Sequence, residues 1–383
     1  MASSSYLGID IGTTTVKICL VGNDKHVPHN ATISIPTQPL WHEQDPKKIL
    51  DVVFSTLEEF SELCSSTCLK FIGVSGQMHD IILWQNASLN SNEGYKNLVP
   101  NDSKNSYYDN NIIVFGWNDE NGSIEGRIST GYGSATLAWL SAHGLVDYRW
   151  DRAGTIIDLF NAVITGTEVA YISTQQAYSW GYCCVGQTKH NVSKLPSNIN
   201  VLVSMGDLQT SLFPVIQDDE AVIHIGTSSQ ISFLPRIPIH TNAYPGLQKF
   251  PFFNNKCLSV AASLNEILGK PSESSTGLLV TPLFRGERHS PEIGASLQNW
   301  TAGTTPIEFA QSIARGVIVN LAAMLPDDLL SKHHINSVRL LNRATEFVYL
   351  EEAKKCYSSK KIIVDNSSSL SAAYGSALFC ASL

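Results

Sequence analysis

A run of apolar and β-branched residues, Val201 to Met205, ends on Gly206-Asp207. Burying an unpaired carboxylate is costly, so a strand that finishes on one must either expose it or use it. Asp207 is therefore a candidate general base. The same stretch, VLVSMGDLQTS, reads equally as a strand running into a helix with Asp207 as its N-cap. The two roles are compatible, because a helix N-terminus favours the ionised form.

A second group lies near the N-terminus. Tyr6 to Asp10 reads as a short strand, Gly12-Thr13-Thr14-Thr15 as a tight turn, and Val16 to Gly22 as the returning strand. Gly12 permits backbone geometry closed to other residues. Thr13 and Thr14 offer hydroxyls and backbone N–H groups to an anion, and Lys17 is the nearby cation. Asp10 sits where a strand end could hold a hydrated magnesium ion. Taken alone, these residues fit an ordinary hairpin as well as a phosphate turn.

An internal repeat shifts that balance. Ile9-Asp10-Ile11-Gly12-Thr13-Thr14-Thr15 aligns with Ile223-His224-Ile225-Gly226-Thr227-Ser228-Ser229. Two phosphate-turn hairpins point to two similar domains facing a cleft. His224 stands where Asp10 does, so the halves are chemically unequal, and His224 by itself fits a hydrogen-bonded strand histidine.

Two further stretches could bind a polyol. Ser75-Gly76-Gln77-Met78-His79-Asp80 lies between two apolar runs, and its Gln and His suit hydroxyl groups; a polar hairpin turn has the same look. Val114 to Asp119 brings Trp117 and Asp119 together at a strand end, a stacking ring beside a hydrogen-bonding acid. A solvent-facing strand end is equally consistent.

The elements that position these residues follow from pattern. Asp45-Pro46 opens a helix whose apolar face is Ile49, Val52, Val53, Leu57 and Phe60. Thr305-Pro306-Ile307-Glu308 is a capping box for a helix reaching Leu325. Tyr132 to His143 and the segment from Ala153 read as helices, as does the small-residue stretch Ser371 to Leu383. A short helix is expected over Ala261 to Leu268. Thr174 to Gly181 reads as a loop, and Gln187 to Asn200 as the linker between halves.

Composition bounds the class. With 383 residues, 43% hydrophobic and 16% charged, the chain has ample core for two or three domains. A net charge of −8 argues against a nucleic-acid partner. No basic region followed by an apolar run opens the sequence, and no apolar stretch approaches the ~20 residues of a membrane helix. The eight cysteines form no zinc-type cluster. The expectation is a cytoplasmic protein without a membrane partner.

Together these stretches resemble the FGGY carbohydrate kinases, members of the actin-like ATPase fold. The matching segments are GIDIGTTTVK (8–17), IGVSGQMH (72–79), GTIIDLF (154–160), SWGY (179–182), GDLQTS (206–211), GTSSQ (226–230), FPFFN (250–254) with VAASLN (260–265), and GERHSP (286–291). They occur in the family's order over nearly the whole chain. The resemblance implies an α/β fold of two actin-like (ribonuclease H-like) ATPase domains around a central cleft, divided as 1–200 and 201–383. It implies ATP-dependent phosphorylation of the terminal hydroxyl of a ketose, with ATP and Mg2+ as cofactors and a small-molecule sugar as substrate. Asp207 would be the catalytic base. Gly12, Thr13, Thr14, Lys17, Gly226, Thr227 and Ser228 would cradle phosphate, Asp10 would mark the magnesium position, and Gln77, Met78, His79, Trp117 and Asp119 would meet the sugar.

The chain also departs from the family. It lacks material after Gly181-Tyr182 and after Ala261 to Asn265. Asp80 follows GQMH where the family has glycine, and Thr174 replaces an acidic residue. Leu341-Asn342-Arg343-Ala344-Thr345 contains no glycine where the family's adenosine loop is glycine-rich. That last change carries an alternative: a catalytically weak or inactive sugar-binding relative with an impaired adenosine loop.

Overall fold

The computed structural model of the chain describes residues 4–24, 29–35, 44–66, 68–85, 89, 106–107, 133–144, 146, 150–167, 171–181, 192–194, 199–225, 229–239, 244, 246–263, 277–284, 293–365 and 371–383. The chain divides into two compact units. The first comprises Met1–Val215, Phe253–Asn255 and Ser369–Leu383, and the second Ile216–Phe252 and Lys256–Ser368.

The first unit opens with the hairpin β1 (Ser4–Ile11) and β2 (Thr15–Gly22), and β3 (His29–Ser34) adds antiparallel to β2. Helix α1 (Pro46–Ser66) starts where Asp45 Oδ1 accepts from the Lys47 amide at 2.9 Å. Strand β4 (Cys68–Gly76) returns parallel to β1. Then come β5 (Ile81–Trp84), β6 (Ser106–Tyr107), α2 (Gly133–Ala142) and β7 (Arg152–Gly154); β5, β6 and β7 form a small separate sheet. Helices α3 (Ile156–Thr165) and α4 (Thr174–Ser179) precede β8 (Val192–Lys194), β9 (Asn200–Leu202), β10 (Met205–Gly206) and α5 (Asp207–Leu212). The main sheet runs β3-β2-β1-β4-β9-β8, with β10 also paired to β4. Its core joins Ile9, Ile11, Val16, Ile18 and Val74 of the sheet to Ile49, Leu50, Val53 and Phe60 of α1 and to Ile156, Ile157 and Phe160 of α3.

The second unit contains β11 (Glu220–Ile225), β12 (Ser229–Phe233), β13 (Leu247–Pro251), β14 (Cys257–Ser263), β15 (Leu279–Thr281), β16 (Ser296–Gln298), α6 (Pro306–Met324), α7 (Asp327–Lys332), β17 (Ser337–Asn342), α8 (Phe347–Cys356) and β18 (Lys361–Asp365). Its sheet runs β13-β14-β12-β11-β17-β18. Strands β14, β12, β11, β17 and β18 therefore repeat the order and directions of β3, β2, β1, β4 and β9. The Gly-Thr repeat in the sequence falls on the equivalent hairpins. The capping box at Thr305 forms as expected and opens α6.

Helix α9 (Ala372–Ala381) packs against β1, β2 and β4 of the first unit. Small residues make this possible: a Cβ at Gly8 would lie 1.8 Å from the Ala373 carbonyl oxygen, and one at Gly73 would lie 2.8 Å from that of Ser376.

Four expectations differ from this arrangement. The division at 200/201 gives way to one at 215/216 with the C-terminal helix in the first unit, so Asp207 sits with Asp10 rather than in the second half. Residues 192–194 of the expected linker are instead a strand at the sheet's edge, paired antiparallel with β9. Ala261 to Ser263 belong to β14, because pairing with β12 and β13 outweighs the helical preference of alanine. Thr174 to Ser179 is helical, capped by the Ser173 hydroxyl.

Candidate active site

The candidate residues collect at the carboxyl ends of β1, β4 and β10, the edge of a parallel sheet where ligands characteristically bind. Asp10 lies directly opposite Lys17 of β2 on one side and Ser75 of β4 on the other. Met205 of β10 pairs with Ser75 in turn, so Asp207 emerges two residues later on the same rim. Asp10 is 7% exposed, and its Oδ1 is buried without a hydrogen-bond partner among the described residues. Burial and the negative charge of Asp207 lift its pKa to about 7, against the pull of Lys17 and the Ser75 hydroxyl. Asp207 is the first residue of α5, with Gly206 rather than Asp207 at the N-cap. Its Oδ1 accepts from the Leu208 amide at 2.7 Å. The surrounding protein desolvates it and lifts its pKa to about 6, while the Leu208 amide and Lys17 oppose the rise. Its side chain nonetheless reaches water, which a group exchanging protons with a substrate needs.

The turn after β1 is tied to the segment after β4. The Gly12 amide donates to the Thr15 carbonyl at 3.0 Å. Gly12 does not adopt a positive φ, so space is what it supplies: a Cβ there would sit 3.2 Å from that same carbonyl oxygen. Thr13 and Thr14 are exposed. Thr13 Oγ1 donates to Gln77 Oε1 at 3.0 Å, Gln77 Nε2 donates to Gln44 Oε1 at 3.2 Å, and Gln44 Nε2 donates to the Thr13 carbonyl at 2.7 Å. Gln77, expected at the sugar, thus braces the turn. Gln44 carried no signal in the sequence beyond its polarity. Met78 is 5% exposed and packs against Gly206, where a Cβ would come within 2.2 Å of the Met78 sulfur. His79 follows, half-buried. Trp117, Asp119, Gly226, Thr227 and Ser228 lie outside the described residues.

Beneath this rim is a buried polar network. Asp80 Oδ2 accepts from the Ile156 amide at 2.8 Å at the start of α3, and Asp158 closes a capping box with Thr155 on the same helix. Burial lifts Asp80 to about 8, helped by the charge of Asp158 and opposed by the Ile156 amide; burial also lifts Asp158. Ser204 Oγ touches both Asp158 Oδ1, at 2.5 Å, and Gln176 Oε1, at 2.6 Å. Gln176 Nε2 donates to Thr155 Oγ1 at 2.8 Å. Neighbouring Gln175 accepts from the Gly206 amide through Oε1 at 3.1 Å. The Thr-x-x-Asp spacing from Thr155 to Asp158 was the available sequence signal for this network.

Residues 5–179 match the N-terminal domain of the FGGY family of carbohydrate kinases. The chain thus carries an FGGY-type N-terminal domain. It is similar to sedoheptulokinase: the Homo sapiens protein is 27% identical over 437 aligned residues, covering 87% of this chain and 88% of that one. Solved structures share the fold at low identity. The xylulose kinase from Rhodospirillum rubrum superposes with a TM-score of 0.73 at 14% identity, covering 98% of this chain and 89% of that one. The Plasmodium falciparum glycerol kinase structure with ADP gives 0.71 at 15%, covering 98% and 88%. The fold is accordingly the actin-like ATPase fold of FGGY sugar kinases.

FGGY kinases use ATP, and one carboxylate of the first unit could serve a metal ion that accompanies it. The unpartnered Asp10 Oδ1 is a hard oxygen donor. Among the described residues no cluster of three or more His, Cys, Asp or Glu side chains could cage a metal. Magnesium is commonly held this way, by one or two carboxylates with water and phosphate oxygens. In the second unit, His224 occupies the position equivalent to Asp10, between Gln230 and Leu341. Beside it, β17 ends on Asn342 at φ 54°, ψ −129°. That is backbone space ordinarily reserved for glycine, so this glycine-free segment still makes a glycine-type turn. Arg343 on that turn pairs with Glu346 at 3.3 Å.

Proposed function

We propose that this FGGY protein is a cytoplasmic ATP-dependent ketose kinase that converts sedoheptulose to sedoheptulose 7-phosphate. The observation that carries the reading is the placement of Asp207 and Asp10 on one rim, with Lys17 across the ladder from Asp10 and its charge acting on both, next to Met78 and His79. Similarity to sedoheptulokinase over most of both chains supports the choice of sugar.

In this reading the terminal sugar hydroxyl lies against Asp207, which takes its proton as the oxygen attacks the γ-phosphate of ATP. Asp10 would hold a magnesium ion, which would supply charge neutralisation on the phosphates. Lys17 favours the ionised form of both carboxyls against the burial that raises them. The Gly12–Thr15 turn, braced by Gln77 and Gln44, presents the exposed Thr13 and Thr14 to phosphate. Gly226, Thr227 and Ser228 serve as the second phosphate turn, and Trp117 and Asp119 complete the sugar site. Catalysis is then positioning and charge neutralisation rather than covalent chemistry. The alternative of a lost nucleotide site is disfavoured by the turn at Asn342.

The test is ADP release with sedoheptulose, xylulose, ribulose and glycerol as acceptors. Turnover highest with sedoheptulose is expected. No sugar-dependent turnover with any of the four would sink the assignment as a kinase, and a preference for another acceptor would replace the sugar alone.

A further inference from the structure

The Ser204 hydroxyl has one hydrogen but two oxygen neighbours within strong hydrogen-bonding distance, Asp158 Oδ1 at 2.5 Å and Gln176 Oε1 at 2.6 Å. All three residues are almost completely buried, Asp158 at 2% exposure and Ser204 and Gln176 at 0%. An ionised Asp158 offers no proton, so one of these contacts would set two acceptors against each other. A protonated Asp158 resolves the count: its O–H donates to Ser204, and Ser204 donates to Gln176. The remaining partners agree, since Asp158 Oδ2 accepts from the Thr155 amide at 2.9 Å and the Thr155 hydroxyl at 2.8 Å.

This chain of contacts ends at the base. Ser204 is three residues before Asp207, and Gln175, beside Gln176 on α4, holds the Gly206 amide at 3.1 Å. Gly206 is hemmed in by Met78 and Gln209, so the backbone bearing Asp207 is fixed from two directions. We propose that Asp158 is a neutral carboxylic acid which, through Ser204 and Gln176, acts with Gln175 as a positioning network for Gly206-Asp207. The inference rests on the reading of Asp207 as the base. It adds residues that touch neither sugar nor nucleotide.

Asparagine reproduces a neutral Asp158, with an amide to donate to Ser204 and an oxygen to accept from Thr155; it cannot reproduce an ionised one. Three variants of the full chain are compared for sugar-dependent ADP release: Asp158→Asn, Asp158→Ala and Gln175→Met. Asp158→Asn is expected to keep kcat within about twofold. Asp158→Ala and Gln175→Met are expected to lose about tenfold or more in kcat with little change in KM for ATP, as displaced catalytic geometry does. A loss in the Asn variant as large as in the Ala variant would overturn the neutral assignment. Full kcat in the Ala and Met variants would overturn the positioning role. A second measurement is independent of turnover. In protein labelled with carbon-13 aspartate, the carboxyl resonance that vanishes in Asp158→Asn should sit at the protonated position at neutral pH, and a carboxylate position would refute the proposal. An inactive wild type with that protonated resonance would count against the kinase reading and leave the neutral carboxyl standing.

Discussion

Lys17 stands directly across the β1–β2 ladder from Asp10, and its charge lowers the pKa of both Asp10 and Asp207. Lys17→Met removes that influence, so both carboxyls should rise further. A base must be ionised to accept a proton, and Asp207 at about 6 predicts that kcat/KM falls as pH drops below about 6. In Lys17→Met the acid limb should move up by about one unit, while Lys17→Arg should hold it near the wild-type position. A pH–rate profile decides this, and an unmoved limb in the Met variant would show that Lys17 does not govern these carboxyls.

Asp207→Asn removes the proton acceptor and keeps the size and the contact to the Leu208 amide. Sugar-dependent ADP release should drop about 100-fold or more. Sugar binding, followed by thermal shift, should survive. Full turnover in this variant would end the assignment of Asp207 as base.

How far the sequence reached depended on the range of the interaction. Asp207 and Asp10 stood out because each carboxylate interrupts an apolar run, and a strand's two-residue period is local. The paired Gly-Thr turns were visible because the hairpin repeats as a unit. Gln44 bracing Thr13 across 31 residues, and Gln175 holding Gly206 across another 31, left no local trace. Ala261 to Ser263 read as helix because alanine favours helices in isolation, whereas two neighbouring strands claim that backbone. Gln187 to Asn200 read as a linker because it is polar and contains Pro196, whereas the pairing of residues 192–194 with β9 is a contact that no local pattern announces.

Asp80 is 4% exposed, and its folded pKa of about 8 lies well above the ordinary carboxyl value of 3.8. The folded chain therefore keeps a proton that the unfolded chain releases above pH ~4. Stability from this residue is complete below that point and declines as pH rises toward about 8, by a total on the order of a few kcal/mol. Asp80→Asn preserves an acceptor for the Ile156 amide and cannot ionise. It should match wild type in urea unfolding near pH 4 and exceed it near pH 8. Parallel stability curves for the two proteins would refute a protonated Asp80.

Asn342 is the last prediction, and it bears on the nucleotide. Its φ of 54° with ψ −129° is a conformation that favours glycine, and side-chain-bearing residues pay about 1–3 kcal/mol of strain in such regions. The turn is held by its surroundings: Ile225 of β11 lies opposite Asn342, and Thr345 Oγ1 donates to the Asn342 carbonyl at 2.8 Å. Glycine relieves the strain but adds freedom to the unfolded chain, so Asn342→Gly should stabilise by about 1 kcal/mol net, and Asn342→Ala should destabilise by a similar amount. Both are read from urea midpoints. Because the turn already follows a glycine-type path, millimolar ATP should raise the melting temperature of the wild type, and the Gly variant should respond at least as strongly. A wild type that ATP does not stabilise, with a Gly variant that it does, would mean that the asparagine side chain obstructs the adenosine.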